Sequence, residues 1–386
     1  MRRVGQQERR ARLVTRHLLA SGTKATDPAA AARSVVALHA TDPATVYLSV
    51  QARTTGVDVA AIESALYEER TLLRMLAMRR TMFVVPVEDA PILQKSSTDA
   101  IAVQQRKRYL QLIAGLGDGD WLDDVAESTA TALLKRGEAT GAELSTDEPR
   151  LRSKVTMAEG KSYGGTQNIT SWVLLLLAAQ GRIVRGRPRG SWLSTQWRWS
   201  PVDRWLPGGM DAPSADEARA ALVRRWLQSY GPGTVADLRW WTGWTAAHVK
   251  RALETVGAVE VDLDGAPGVD LPGDVELPVA PESAALLPAL DPTPMGWSAR
   301  DWYLGPHAPA LFDRSGNIGP TVWWDGHVVG GWAQRPDGAV VHRLLEDVGR
   351  DAEQAIGAAA EALEAWIGPA RIVPRFRTPL EKELTA

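Results

Sequence analysis

Apolar residues recur at helical spacing between Gln7 and Ala20, where Leu13, Val14, His17 and Leu18 alternate with arginines; the spacing predicts a helix with a basic face able to touch phosphate. Asp27-Pro28 reads as an N-cap with proline in the first helical position, opening a helix expected to run to Leu38. Asp42-Pro43 repeats the signal before Ala44 to Arg53, which places His39-Ala40-Thr41 in a short corner between two helices. Ile62 to Met78 reads as a further helix, and Met82 to Val85 as a strand closed by Pro86. Helices, a tight corner, a helix and a strand form a winged-helix pattern.

The pattern recurs. Ala126 to Lys135, a turn at Gly137 to Thr140, a short helix from Gly141 and a helix over Ser171 to Ala179 precede two strands, Gly181 to Arg185 and Trp192 to Trp199. Gly186-Arg-Pro-Arg-Gly190 joins them as an arginine-rich wing. A third set follows with helices over Glu217 to Ser229, Val235 to Thr242 and Ala246 to Val256, then the alternating strand Val259 to Leu263. Downstream, Thr321 to Val329 predicts a hairpin around Asp325-Gly326, a second hairpin turns at Pro336-Asp337-Gly338, and Ala352 to Ile367 is an amphipathic helix. The expected architecture is therefore α+β: tandem winged-helix units over residues 1–120, 121–213 and 214–264, followed by a β-rich C-terminal module over 265–386.

Composition narrows the chemistry. Lys and Arg total 44 against 46 Asp and Glu, a net charge of −2, so a polyanion must be held by local patches and not by bulk charge. Cysteine is absent, which excludes disulfides, thiolate metal sites and a cysteine nucleophile. The longest apolar run, Trp172 to Ala179, is far short of the ~20 residues of a membrane span, and six arginines among the first sixteen residues leave no apolar signal core. A cytoplasmic protein is expected, with no membrane partner. The 16 tryptophans against 3 phenylalanines fit a GC-rich genome.

Basic residues gather where winged-helix units meet nucleic acid: Arg79-Arg80, Gln105-Arg-Lys-Arg108, and Arg185, Arg187 and Arg189 on the wing. Each cluster also suits a solvated charged face. His39 fits either a water-orienting or proton-accepting imidazole or a core histidine bonded to a carbonyl. Thr41 suits helix entry, and Asp42 suits an N-cap as well as a catalytic carboxylate. Asp313-Arg314-Ser-Gly-Asn317 reads as a turn that is wholly structural or presents Arg314 and Asn317 to a groove, while Trp240-Trp241 with Leu238 and Trp244 reads as core. No Walker loop, His-Glu-x-x-His or Gly-x-Ser-x-Gly occurs, so ATP hydrolysis, zinc-protease and lipase chemistry have no support, and no metal or nucleotide cofactor is expected.

The order of Val35-Val-Ala-Leu-His39-Ala-Thr-Asp-Pro43, Met78-Arg-Arg-Thr81, Phe83-Val-Val-Pro86, Tyr230 to Gly243 and Leu311-Phe-Asp-Arg-Ser-Gly-Asn317 resembles the AlkZ-like winged-helix DNA glycosylases, which include YcaQ-type and antibiotic self-resistance enzymes. The resemblance covers nearly the whole chain. It implies tandem winged helices around a duplex, a C-terminal hairpin near the minor groove, and excision of bulky N7-alkylpurines, with crosslink unhooking in some members. The family's Gln-x-Gln or Gln-x-Asp motif would fall on His39-Ala40-Thr41, where this sequence carries neither. The partner so implied is alkylated double-stranded DNA, bound by a monomer that associates with the nucleoid while on DNA. A second reading stays open: a winged-helix protein that recognises duplex or lesion without cutting the glycosidic bond.

Overall fold

Two Asp-Pro pairs set the geometry of the N-terminal region. Asp27 accepts the Ala30 amide at 2.8 Å and Asp42 the Ala44 amide at 3.1 Å, so each caps a helix starting on its proline, Pro28–Ser34 and Pro43–Gln51. The structure is a computed structural model describing residues 1–157, 165–210, 213–274 and 282–386. The first of these helices stops at Ser34, short of the expected Leu38, because the chain reverses through Val36 at φ 64°. Leu38–His39 then pairs antiparallel with Val84 and Phe83, so His39 sits on a sheet edge and not in an interhelical corner.

The expected helix from Ile62 to Met78 is also divided. Val59–Tyr67 is helical, but Leu72–Ala77 is a strand paired with Thr81–Pro86. All six residues of Leu72–Ala77 are buried, and a continuous apolar run reads alike as a buried strand or a buried helix.

The second unit holds the sheet Ala139–Thr140, Trp197–Pro201, Ile183–Pro188, backed by helices Gly119–Arg136, Gly141–Asp147 and Thr170–Ala179. A two-stranded ribbon, Lys154–Met157 with Gly165–Asn168, stands beside it. In the third, helices Ala215–Tyr230, Val235–Thr242 and Ala246–Val256 precede the hairpin Val259–Leu263 and Ala266–Asp270. The C-terminal module is an antiparallel sheet of Ala284–Leu287, Thr321–Trp324, His327–Gln334 and Val340–Leu344, covered by helix Arg350–Ile367. Asp325 and Gly326 both take positive φ, as a two-residue hairpin turn requires.

The N-terminal helix, Gln6–Arg16, does not show the expected basic face. Arg12 is 3% exposed and bonds Asp270 and Glu8, Arg16 grips Asp274, and Arg9 lies over Trp302. Arg2–Arg3 pairs parallel with Val261 and Asp262. Asp270 and Asp274, with Glu8 of the same helix, thus neutralise Arg12 and Arg16, and the helix packs far from its sequence neighbours.

One contiguous core runs through the first unit, the third unit and the C-terminal module and takes in Val184 and Val202 of the second, which otherwise keeps its own around Leu122, Leu133, Leu144, Leu177 and Ile183. Within the larger core a wholly buried pair, Arg53 and Asp291, is closed by Ser49 and Thr293. Among the described residues no helix is long and apolar enough to cross a membrane.

Candidate nucleic-acid interface

Where the two cores meet, the surface opens into a cleft of about 520 Å³. Thr41 and the hairpin residues Arg80 to Met82 form one wall; Gln105, Arg108 and Tyr109 of helix Asp99–Leu112 and Gln167, Trp172 and Arg185 of the second unit form the rest. Among the described residues that line it, three are arginines and none carries a carboxylate. Tyr109 and Trp172 stack nearly parallel, with ring centroids 5.5 Å apart.

The hairpin that carries Arg79 and Arg80 turns through both of them in the left-handed region, at φ 53° and 59°. Such turns ordinarily use Asn-Gly, and non-glycine residues held there cost about 1–3 kcal/mol each, a strain that persists mainly where function holds it. Arg80 reaches Gln105 at 3.4 Å, and Arg79 lies 4.2 Å from the Trp240 ring centroid. Arg300 lies 4.8 Å from the same ring and 4.9 Å from Phe312. Trp241 is core, whereas its half-buried neighbour Trp240 is shared by two guanidiniums.

His39 is 9% exposed and meets Phe83 edge-on. Burial, with the Arg79 charge second, holds its pKa down at about 4, so the ring is neutral near pH 7. The Thr41 amide faces Nδ1 from 3.5 Å, which assigns the neutral ring's proton to Nε2 and makes that nitrogen a donor. Thr41 lines the cleft; His39 lies behind it, outside the lining. Both carboxylate oxygens of Asp42 are engaged, Oδ1 by Ala44 and Oδ2 by the Arg375 amide at 2.9 Å. Arg375 also donates to the Thr41 carbonyl at 3.3 Å.

The wing arginines differ in their company. Arg185 lies near the Trp197 and Trp199 rings with no ion pair among the described residues, and burial lowers its pKa to about 10, leaving it charged. Arg187 is paired with Glu63 and Glu68, and Arg189 with Glu143. These two line a separate cavity of about 730 Å³ whose arginines face Glu68 and Glu138. Asp313 accepts the Ser315 and Asn317 amides and the Asn317 side chain, which fixes the turn and leaves Arg314 exposed without an ion pair among the described residues.

Sequence reading did not single out Arg74, Tyr109, Gln167, Trp172, Arg300 or Arg375. Arg74 carried a signal, a charge inside the apolar run Leu72 to Ala77, which a helical reading of that run concealed. Among the described residues no group of three or more His, Asp or Glu is placed to hold a metal ion.

Small helix-backed sheets around a guanidinium-lined cleft define a winged-helix protein of the class that handles nucleic acid. The sequence places it more narrowly: the family described as DNA glycosylase AlkZ-like matches residues 32–366, and the protein belongs to that family of DNA glycosylases. The solved structure of the DNA glycosylase AlkZ from Streptomyces sahachiroi is similar over 96% of this chain and 98% of its own, with a TM-score of 0.75 at 21% identity, a likeness of fold. No curated protein matches the chain.

Proposed function

We propose that the protein hydrolyses the N-glycosidic bond of bulky N7-alkylated purines in double-stranded DNA, crosslinked adducts included, acting as a monofunctional glycosylase and a monomer. Alkylation at N7 makes the purine cationic, so the C1′–N9 bond breaks with its electron pair moving onto the base, and the sugar passes through an oxocarbenium-like state. Water adds to C1′ and loses a proton. The site has only to place that water and present lone pairs to the developing positive charge.

In this reading the Thr41 hydroxyl supplies the lone pair at the cleft wall. His39, neutral and donating from Nε2, orients the water and does not deprotonate it. Asp42 holds the segment by capping the helix. Arg79, Arg80, Arg185, Arg314 and Asn317 contact the backbone, and Arg187 and Arg189 contribute less because glutamates already hold them. The observation that carries the reading is the cleft lined by Arg80, Arg108 and Arg185 with Thr41 in its wall. Its test is release of free base from an N7-alkylated duplex, followed by alkaline cleavage at the abasic site, for the protein and for His39→Ala. Release by the protein and its loss in the variant are expected. DNA binding without release across several bulky adducts selects the non-catalytic lesion binder.

A further inference from the structure

Two guanidiniums, one of them in the cleft wall, share one tryptophan. Arg74 lies 4.3 Å from the Trp197 ring centroid and Arg185 5.7 Å from it, and neither has an acidic partner among the described residues. Arg74 is 2% exposed and makes one bond, from Nη1 to the Ala40 carbonyl at 3.1 Å. Its Nε and Nη2 are buried without a partner, as is Nε of Arg185. Burying a cation is costly unless a counter-charge is supplied, and two like charges side by side raise that cost. Burial, and next the charge of Arg74, pull the Arg185 pKa down.

The edge left open on Arg74 is informative. Nε and Nη2 lie on the same side of a guanidinium and grip an oxyanion through two parallel bonds. Arg150 fills that edge with Glu148 at 2.8 and 2.7 Å, Arg106 with Asp123 and Arg377 with Glu381, whereas Arg9, over Trp302, shares the unfilled edge but has no second guanidinium on its tryptophan among the described residues. Position adds the second half. Leu76, Met82 and Arg185 wall both the cleft and the interior space of about 10 Å³ that Arg74 borders, room for a water and not for a phosphate, so an anion in the cleft meets Arg185 and feels the Arg74 charge behind it. The Arg74 bond to Ala40 ties such an anion to the residue between His39 and Thr41.

We propose that Arg185 in the cleft wall, with the buried charge of Arg74 behind it on Trp197, forms a phosphate site that takes one backbone phosphate of DNA and thereby sets the register of the sugar at Thr41. This rests on the DNA glycosylase reading above. It requires that a single phosphate matter far more than its neighbours, which a diffuse basic surface does not.

The test uses the full chain and a duplex carrying one tetrahydrofuran abasic-site analogue, with single neutral methylphosphonates scanned across both strands. The expected result is one position where neutralisation weakens binding about tenfold, as loss of a charged hydrogen bond does. In Arg185→Gln and Arg74→Gln the charged duplex binds about tenfold more weakly, the salt slope falls by about one, and that position loses its distinction. Arg185→Gln changes a partly exposed side chain and serves where Arg74→Gln fails to fold. In a second arm inorganic phosphate is titrated at constant ionic strength against tryptophan fluorescence. Saturation in the parent protein but not in Arg185→Gln supports an oxyanion site independently of DNA. A flat scan with saturating phosphate overturns the assignment to the DNA backbone, and a position-specific loss that persists in Arg185→Gln overturns the assignment to these arginines. Absence of any duplex binding defeats the glycosylase reading itself, a different result from a flat scan on bound DNA.

Discussion

Arg53 and Asp291, separated by 238 positions in sequence and both without exposure, meet in a two-bonded ion pair, Nη2 to Oδ1 at 2.7 Å and Nη1 to Oδ2 at 2.9 Å. Ser49 and Thr293 complete it, and His17 reaches Thr293 at 2.8 Å. The pair locks the helix behind His39-Ala40-Thr41 to the C-terminal module. Removing one partner strands the other charge, so Asp291→Ala is expected to destabilise the fold by about 3–5 kcal/mol. Urea unfolding measures it; a loss below 1 kcal/mol would contradict the assignment.

His39 and His17 also fix an acid limb. Both are buried and neutral, held at about 4 and about 3 against an ordinary 6.5. The unfolded chain therefore binds more protons than the folded one as pH drops below 6.5. Stability present above that pH is lost on descent towards the folded values, at about 1.4 kcal/mol per pH unit for each proton taken up. His39→Gln should remove about one proton from the linkage between pH 6 and 4.5, measured as the slope of unfolding free energy against pH. An unaltered slope would mean His39 is not held neutral.

Base release gives the catalytic counterpart. With Nε2 donating from a neutral ring, single-turnover release should stay flat from pH 8 down to about 5. A general base with an ordinary imidazole pKa would instead lose activity near 6.5. A drop centred there would replace water orientation by proton abstraction.

Asp42 can be separated from the chemistry by its cap. Asp42→Asn retains a capping oxygen and should release base within about threefold of the parent, while Asp42→Ala should lose about 1–2 kcal/mol of stability. A hundredfold loss of release in Asp42→Asn with the fold intact would restore Asp42 as a catalytic carboxylate.

The arginines divide by their partners. Arg80→Ala with Arg108→Ala removes two cleft cations that have no ion pair among the described residues and should reduce the slope of log affinity against log salt by about two. Arg187→Ala with Arg189→Ala removes cations already facing glutamates and should change it by less than about one. Equal effects in a fluorescence-anisotropy titration would spread the footprint over the whole wing.

Much of this was legible in sequence. Helices Val235–Thr242 and Ala246–Val256 and strand Val259–Leu263 fall where the spacing puts them, because Thr234 and Thr245 cap the starts and Gly243 and Gly257 take left-handed φ at the ends. The sheet edge at Leu38–His39 was not legible, since the residues before it carry no breaker and the helix ends on a strained Val36. Thr41, Arg80 and Arg185 line one cleft, while His39 is outside its lining. What local reading could not supply was the company each charge keeps: Glu63 and Glu68 reach Arg187 across more than a hundred residues, and the carboxylates that claim the N-terminal arginines lie beyond residue 260.

That last arrangement constrains synthesis. The strand Arg2–Arg3, zipped alongside Val261 and Asp262, has no partner until the ribosome has delivered those two residues. It is thus fastened late, and a substitution that weakens the Val261 strand would burden that closing step of folding while leaving the helices made in between untouched.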